Sequence, residues 1–528
     1  MGFRVVIPTA GLGSRLGGLT KYLNKSLVSI AHRPTICHLI EQFPEDSEFV
    51  IALGYKGNLV RDFLELAYPN RIFYFADVEP FEGEGSGLGY SLLCCEEYLQ
   101  QPFIFLSCDT LVTQKIPPPD HNWMGYAELD DLFSYRTLAV QHGRVRGIHE
   151  KGDAGAEELK AYIGLAGIKD YASFWAMMRE GGHATIEQGE AYGLRGILTA
   201  QPLSAYEFEW FDTGSPTGLA ATREAYRTVD EPNILEKENE AIWFVNGQVI
   251  KFSDDIRFVA NRVERAKNLV GFVPDVRAVK PHMYSYNKVP GRVLSEAVTL
   301  PLFREFLAHC KTFWKNADLN LSQQSEFKGI CKKFYFNKTK ERVELFYKNF
   351  SKEDSAELIN GEEMPTLASL FRRVDWDSLT QGLPGQFHGD FHFENIIWNA
   401  GAKKFMFLDW RQDFGGDLDV GDIYYDLAKL LHGLIVSHEL IANEAFTVSW
   451  ESNQIQFDLH RKQALVECEQ YFSAWCSENG FSYHKVRLLT ALIYLNIAAL
   501  HHYPYSLLLY ALGKRMLKQE LENSNENY

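Results

Sequence analysis

The sequence predicts an α/β protein in two parts. The first is a mostly parallel sheet with helices on both faces, and the second is a helix-rich α+β half. Three observations carry the prediction. Short apolar runs alternate with helical stretches through the first 230 residues. The pattern breaks near 220–240 and resumes as a hairpin followed by helices. At 528 residues the chain also exceeds what one hydrophobic core serves.

The elements follow in order. Residues 3–8, FRVVIP, are an apolar run ending at a Gly-rich turn. SEFVIALGY (47–55) and PFIFLSCD (102–109) repeat the pattern of a buried strand followed by a turn or a polar residue. TICHLIEQF and GNLVRDFLELA read as the helices between them. Strands alternating with helices specify a parallel sheet. Such sheets bind ligands beyond the carboxyl ends of their strands, so Gly11, Gly13 and Asp109 are expected at one edge.

ATREAYRTVD reads as a closing helix, and EPNILEKENE is polar and turn-rich. This places a boundary that leaves domains over 1–230 and 235–520. AIWFV, NG and QVIKF then read as two strands around an Asn-Gly hairpin turn. A helix is expected across about 255–270. NIIWNAGAKKFMFLDW is a second hairpin candidate, and the polar tail LENSNENY is expected to fray.

Composition bounds the function. Hydrophobic residues make up 46% and aromatics 14%, which excludes global disorder. A net charge of −16 argues against a general nucleic-acid or anionic-membrane binder. Anionic substrates would need local basic residues. The eight cysteines form no CxxC pair and read as free thiols of a reducing cytoplasm. The N-terminus reads as a strand into a turn, not as a signal peptide. The longest apolar stretch, 488–500, is broken by Thr490 and Asn496. It is too short to span a bilayer and is expected to be a buried helix.

TAGLGSRL sets Gly11 and Gly13 directly after a strand. Their backbone N–H groups can converge on a phosphate, and Arg15 adds a cationic fork. A plain tight turn would look the same. The chain adds Lys25 in NKSLVSI, Gly87 in EGSGLGYSLL, Asp109 at a strand end, Glu150 and Lys151 in RVRGIHEKG, and Asp212 in WFDTGSP. Bland readings exist for each: a strand-end cap for Asp109, an Asx-turn for Asp212, a solvated pair for Glu150 and Lys151.

The order and spacing of these pieces resemble the sugar-phosphate nucleotidyltransferases over about residues 1–228. The resemblance implies a Rossmann-like domain in which a phosphate monoester attacks the α-phosphorus of CTP, UTP, GTP or dTTP and pyrophosphate leaves. Both reactants are anions, so the site must neutralise charge and hold them in line. By resemblance, Gly11, Gly13 and Arg15 hold the triphosphate and Lys25 bridges the reacting phosphates. Asp109 and Asp212 hold Mg²⁺, a hard cation suited to carboxylates. Gly87 admits the base, Glu150 meets the acceptor body and Lys151 its phosphate. The sequence departs from the family at Gly17-Gly18 and Asn24, where prolines are usual, and at Cys108, where glycine is common.

In the second half, HGDFHFEN sets Asp390 two residues after His388 and Asn395 five beyond it. That is the spacing of a kinase catalytic loop, in which the Asp takes the acceptor hydroxyl proton and the Asn carries a metal. Asp409 follows after a short hairpin, then Asp422 and Asp426 in GDIYYDLAKLL. The set resembles the aminoglycoside phosphotransferase and choline kinase family across about 235–515, which implies a two-lobed kinase-like domain. It implies that Asn395 and Asp409 bind Mg²⁺, that Lys251 in QVIKF meets the ATP phosphates with Glu264 as its helix partner, and that Met283–Tyr286 meets adenine. No Gly-rich loop precedes Lys251. His388 reads as a structural brace, and His392 faces substrate or packs. His501, His502, Tyr503 and Tyr505 line an acceptor pocket or, more in keeping with their setting, a packed core.

The two halves make chemical sense in series, as a cytoplasmic bifunctional enzyme. ATP would phosphorylate a sugar or small alcohol, and the phosphate would then be joined to a nucleotide for surface-glycan synthesis. The open alternative is an active nucleotidyltransferase with a non-catalytic kinase-like module. No nucleic-acid partner and no membrane insertion are expected.

Overall fold

The computed structural model describes residues 2–152, 159–227 and 237–523. The expected boundary at 230–235 and most of the polar tail lie outside the described residues. Packing divides the chain into two compact units. One is Met1–Ile256 with Arg277–Lys288, and the other is Arg257–Val276 with Val289–Tyr528.

Among the described residues, the first unit is built on a nine-stranded sheet. Its strands are β1 Arg4–Pro8, β2 Glu48–Leu53, β3 Ile72–Asp77, β4 Phe103–Leu106, β5 Trp123–Ala127, β6 Thr137–Gln141, β7 Arg144–His149, β8 Leu159–Ile168 and β9 Leu203–Glu207. The spatial order is β3-β2-β1-β4-β8-β5-β9-β7-β6. The block β3-β2-β1-β4 is parallel. Beyond it β8 runs antiparallel to β4 and β5. Val5 and Ile7 belong to one core and Val6 to another. The period-2 alternation of a strand splits them between two faces, and helices cover both, so FRVVIP is apolar throughout.

The Asn-Gly hairpin forms as the dipeptide requires. Asn246 (φ 52°) and Gly247 (φ 71°) both take left-handed backbone between Glu240–Val245 and Gln248–Ser253. Two positive φ values match the strand twist in a two-residue turn. This hairpin belongs to a four-stranded sheet with Met283–Asn287 and Val276–Lys280. Trp243 is fully buried, 5.1 Å from the Phe63 ring, and its indole N–H donates to Ser29 Oγ at 3.0 Å. The apolar side of the small sheet therefore shares the core of the first unit.

The second unit is mainly helical. The helix Ile423–Ile435 packs on Tyr483–Ala498, which packs on Tyr505–Asn523. Residues 488–500 fall largely in the middle one and are mostly buried. The expected hairpin forms from Ile396–Asn399 and Lys404–Phe407. Lys514 and Glu357, both fully buried, pair at 2.5 Å and tie the last helix to a small sheet. All eight cysteines are free. Among the described residues no helix is long and apolar enough to cross a membrane.

Candidate active sites

In the first unit, β1 and β4 are parallel neighbours, so the Gly11–Gly13 turn and Asp109 leave the sheet at the same edge. Gly13 takes left-handed backbone (φ 66°). Asn24, where the resembling family has proline, is buried and clamps this edge. Its side-chain N–H groups donate to Thr9 O (2.8 Å) and Tyr55 O (2.7 Å), and its Oδ1 accepts from Ser26 N–H (2.9 Å). Lys25 follows directly, and its ammonium donates to Asp109 Oδ2 at 2.8 Å. Ser107 Oγ donates to Asp109 Oδ1 at 2.6 Å. Burial opposes the Asp109 charge, but Lys25 and Ser107 hold the carboxyl down at about 2.

Asp212 reaches the same place through a two-stranded ladder. Trp210–Asp212 pairs with Thr110–Val112, with Asp212 opposite Thr110. Gly214 shows the convergence. A Cβ there would lie 2.6 Å from Asp109 Oδ2, 3.0 Å from Arg15 Nη2 and 3.1 Å from Asp212 Oδ1. Two carboxylates and a guanidinium thus surround one point that glycine leaves open. Oxygen donors converging in this way fit a hard divalent cation.

The other predicted residues are more dispersed. Gly87 precedes the helix Leu88–Cys95, and a Cβ on it would meet Ile186 O at 2.5 Å, so packing alone demands glycine there. Glu150 follows β7 directly and lies between Arg195 Nη2 (2.6 Å) and Arg136 Nη2 (3.2 Å). Burial works against its charge, and the two arginines hold its carboxyl below the usual range. Lys151 is exposed in the following turn.

In the second unit the residues of the 388–395 loop are wired together. His388 is fully buried. Burial drives its pKa down to about 3, so the ring is neutral. Its Nδ1 accepts from Asp390 N–H (3.2 Å), and its Nε2 therefore carries hydrogen and donates to Leu408 O (2.8 Å). The ring braces the loop to the residue preceding Asp409, the role its position suggested. Asp426 accepts from the backbone N–H of His388 and Gly389 (2.7 Å each) and from Trp314 Nε1 (3.1 Å). Burial pushes its pKa up to about 6.

Asp390 is held from three sides. Lys429 Nζ lies 2.8 Å from Oδ1, His392 Nε2 3.4 Å from Oδ2, and Asn395 Nδ2 donates to Oδ2 at 3.2 Å. Burial disfavours the carboxylate, but Lys429 and His392 keep its pKa well below the ordinary value. With its amide nitrogen engaged, Asn395 offers its carbonyl oxygen as a cation ligand. Asp409 sits in left-handed backbone (φ 56°) with Arg262 Nη1 3.2 Å from Oδ1. The Asn395 carbonyl and the Asp409 carboxylate are oxygen donors of the kind a hard cation takes.

Sequence reasoning missed Lys429 and the arginine clamp on Glu150. Lys429 had one available signal, its place one helical turn after Asp426. His392 Nδ1 meets Glu394 at 2.9 Å, and its pKa is raised to about 9, burial being outweighed by Asp390 and Glu394. Lys251 is buried on its strand. Glu264 is half exposed and pairs with Lys267 at 2.6 Å. Tyr505 is buried and His501 partly so, whereas His502 and Tyr503 are exposed.

Comparison with known proteins finds similarity in each half of the chain. Residues 352–458, which span the whole Asp390 loop, match the phosphotransferase enzyme family. A UTP–glucose-1-phosphate uridylyltransferase of Staphylococcus epidermidis is 22% identical over 272 residues, covering 43% of this chain and 93% of that protein. A solved UDP-glucose pyrophosphorylase in complex with UDP-glucose is similar with a TM-score of 0.37 and 19% identity, over 43% of this chain and 98% of that one. CTP:phosphocholine cytidylyltransferase from Streptococcus pneumoniae is similar with a TM-score of 0.35 and 17% identity, over 43% and 100%. The chain carries a C-terminal domain of the phosphotransferase enzyme family and an N-terminal region homologous to nucleotidyltransferases.

Proposed function

We propose that this is a bifunctional enzyme, with domains over 1–230 and 235–520. The C-terminal half phosphorylates a sugar or small alcohol with ATP. The N-terminal half then transfers a nucleotidyl group to that phosphate, giving a nucleotide-activated sugar or alcohol plus pyrophosphate. One observation carries the reading: a single chain holds two separate carboxylate sites, Asp109 with Asp212 and Asp390 with Asp409, each set beside basic side chains. The uridylyltransferase relatives bring forward UTP and glucose 1-phosphate as the first pair to try. CTP, GTP and dTTP remain in the panel.

In the first site, Arg15 and the Gly11–Gly13 backbone bind the triphosphate. Lys25 neutralises the reacting phosphates, Glu150 and Lys151 meet the acceptor, and Gly87 the base. In the second, Asp390 accepts the hydroxyl proton while Lys429 keeps it ionised. Mg²⁺, held by Asp109 and Asp212 and by Asn395 and Asp409, supplies charge neutralisation to both transfers. The enzyme acts in the cytoplasm and feeds surface-polysaccharide synthesis.

A second reading keeps the nucleotidyltransferase and makes the kinase-like half a ligand-binding module. The solvent-facing Glu264–Lys267 pair favours it. The test is pyrophosphate release with each nucleotide and Mg²⁺ against a panel of sugar and alcohol phosphates, followed by ATP-dependent phosphorylation of the corresponding free alcohols. Activity in the first assay and none in the second would select the second reading.

A further inference from the structure

Near the loop that carries Asp390, the second unit gathers basic side chains that enter no salt bridge among the described residues. Lys338 and Arg342 lie one turn apart on the helix Lys338–Phe350. The Lys338 ammonium is 4.5 Å, and the Arg411 guanidinium 4.9 Å, from the centre of the same Phe334 ring. Arg411 stands at the catalytic loop, its backbone N–H donating to His388 O at 2.8 Å. Lys429 is committed to Asp390.

Among the described residues, Lys338, Arg342 and Arg411 enter no salt bridge, and Arg411 Nε is buried without a hydrogen-bond partner. Burial, then the nearby charges of Arg411, Arg342 and Lys429, pull the Lys338 pKa down to about 8, with Asp413 opposing. Like charges gathered in a partly dry place destabilise the empty site, and an anion that binds there relieves them. The acidic side chain next along the loop, Glu394, is engaged by His392 at 2.9 Å and His438 at 3.7 Å.

We propose that the phosphoryl acceptor of the C-terminal half is an anionic alcohol, a hydroxyl compound bearing a phosphate or carboxylate that Lys338, Arg342 and Arg411 bind. This rests on reading that half as a phosphotransferase. In the reaction the acceptor O–H bond breaks and its proton passes to Asp390. The oxygen forms a bond to the γ-phosphorus of ATP, the bond from that phosphorus to the β–γ bridging oxygen breaks, and ADP leaves with the electron pair. The anionic group of the acceptor takes no part in bond making. It sets which hydroxyl reaches Asp390, and a choline-like cation is rejected by the same charges.

The experiment is calorimetric titration of the full chain, saturated with Mg²⁺ and ADP, with inorganic phosphate, glycerol 3-phosphate, glycerate, glycerol and choline. The phosphates or glycerate should bind, glycerol and choline should not, and the K338Q/R342Q variant should weaken the anion by about tenfold or more. A preference for phosphate over glycerate, or the reverse, tells which anion the site is made for. Absence of any anion binding sensitive to K338Q/R342Q in a variant of native circular dichroism overturns the proposal. So does competition between the anion and ADP, which would give the cations to the nucleotide. If ATP-dependent phosphorylation is found only with neutral alcohols and the anion site is absent, the inference fails while the phosphotransferase reading stands. If the anion site is present but no alcohol is ever phosphorylated, the reading fails and takes the acceptor role with it.

Discussion

Lys429 Nζ stands 2.8 Å from Asp390 Oδ1, joining a helix to the loop that carries the proposed catalytic base. Burial alone would favour the neutral acid, and Lys429 is the largest influence that reverses it. A base whose pKa is depressed stays ionised until the pH falls through that low value. K429M therefore raises the Asp390 pKa and moves the acidic limb of kcat/KM for phosphorylation to higher pH. The rate at neutral pH should fall by about 10²-fold. A pH profile that keeps its acidic limb in place would remove Lys429 from this role.

D390N keeps the size of the side chain and removes the proton acceptor. ATP-dependent phosphorylation of the alcohol should drop by about 10²–10⁴-fold. Nucleotidyl transfer to a supplied phosphate should be unchanged. Assaying both reactions on one preparation checks this, and loss of both in a folded protein would defeat the two-site account.

D109A should give the opposite pattern. It removes the Lys25 partner and one of the two carboxylates around Gly214. Pyrophosphate release should fall by at least about 10²-fold, the scale for loss of a major charge-stabilising group. Phosphorylation of the free alcohol should continue, as product formation from labelled ATP would register.

Lys514 and Glu357 form a fully buried pair. K514M leaves Glu357 as an uncompensated buried charge, which costs about 3–5 kcal/mol. Thermal unfolding should shift down markedly. The K514M/E357L double variant should recover most of the loss, and equal destabilisation in both would mean that packing, not the ion pair, is at stake.

Local chemistry made much of the fold legible. Apolar runs such as residues 3–8 had to be strands covered on both faces, and Asn246-Gly247 had to be a turn. The positions of Asp109, Asp390 and Asn395 followed from short-range spacing. Contacts between residues far apart in sequence were not legible. Nothing near Glu150 announces Arg195, and nothing near Asp390 announces Lys429. Helix phase explains Glu264: the helix Ile256–Asn268 turns Val259, Arg265 and Ala266 inward, so its neighbour Glu264 faces solvent. The small sheet was read with the second half because it follows the polar break. The fully buried Trp243 joins it to the first core, a side-chain destination that the sequence of the strand does not reveal.

The central claim is that the product of one site is the substrate of the other. The most direct measurement supplies a panel of free alcohols, weighted toward anionic ones, with ATP, Mg²⁺ and each of CTP, UTP, GTP and dTTP, and detects nucleotide-linked product by mass. The account predicts that one alcohol yields such a product only when ATP and its partner nucleotide are both present. It also predicts that D390N blocks the product from the free alcohol but not from its phosphate. An alcohol phosphate made by the C-terminal half that the N-terminal half never accepts, with any of the four nucleotides, would contradict it.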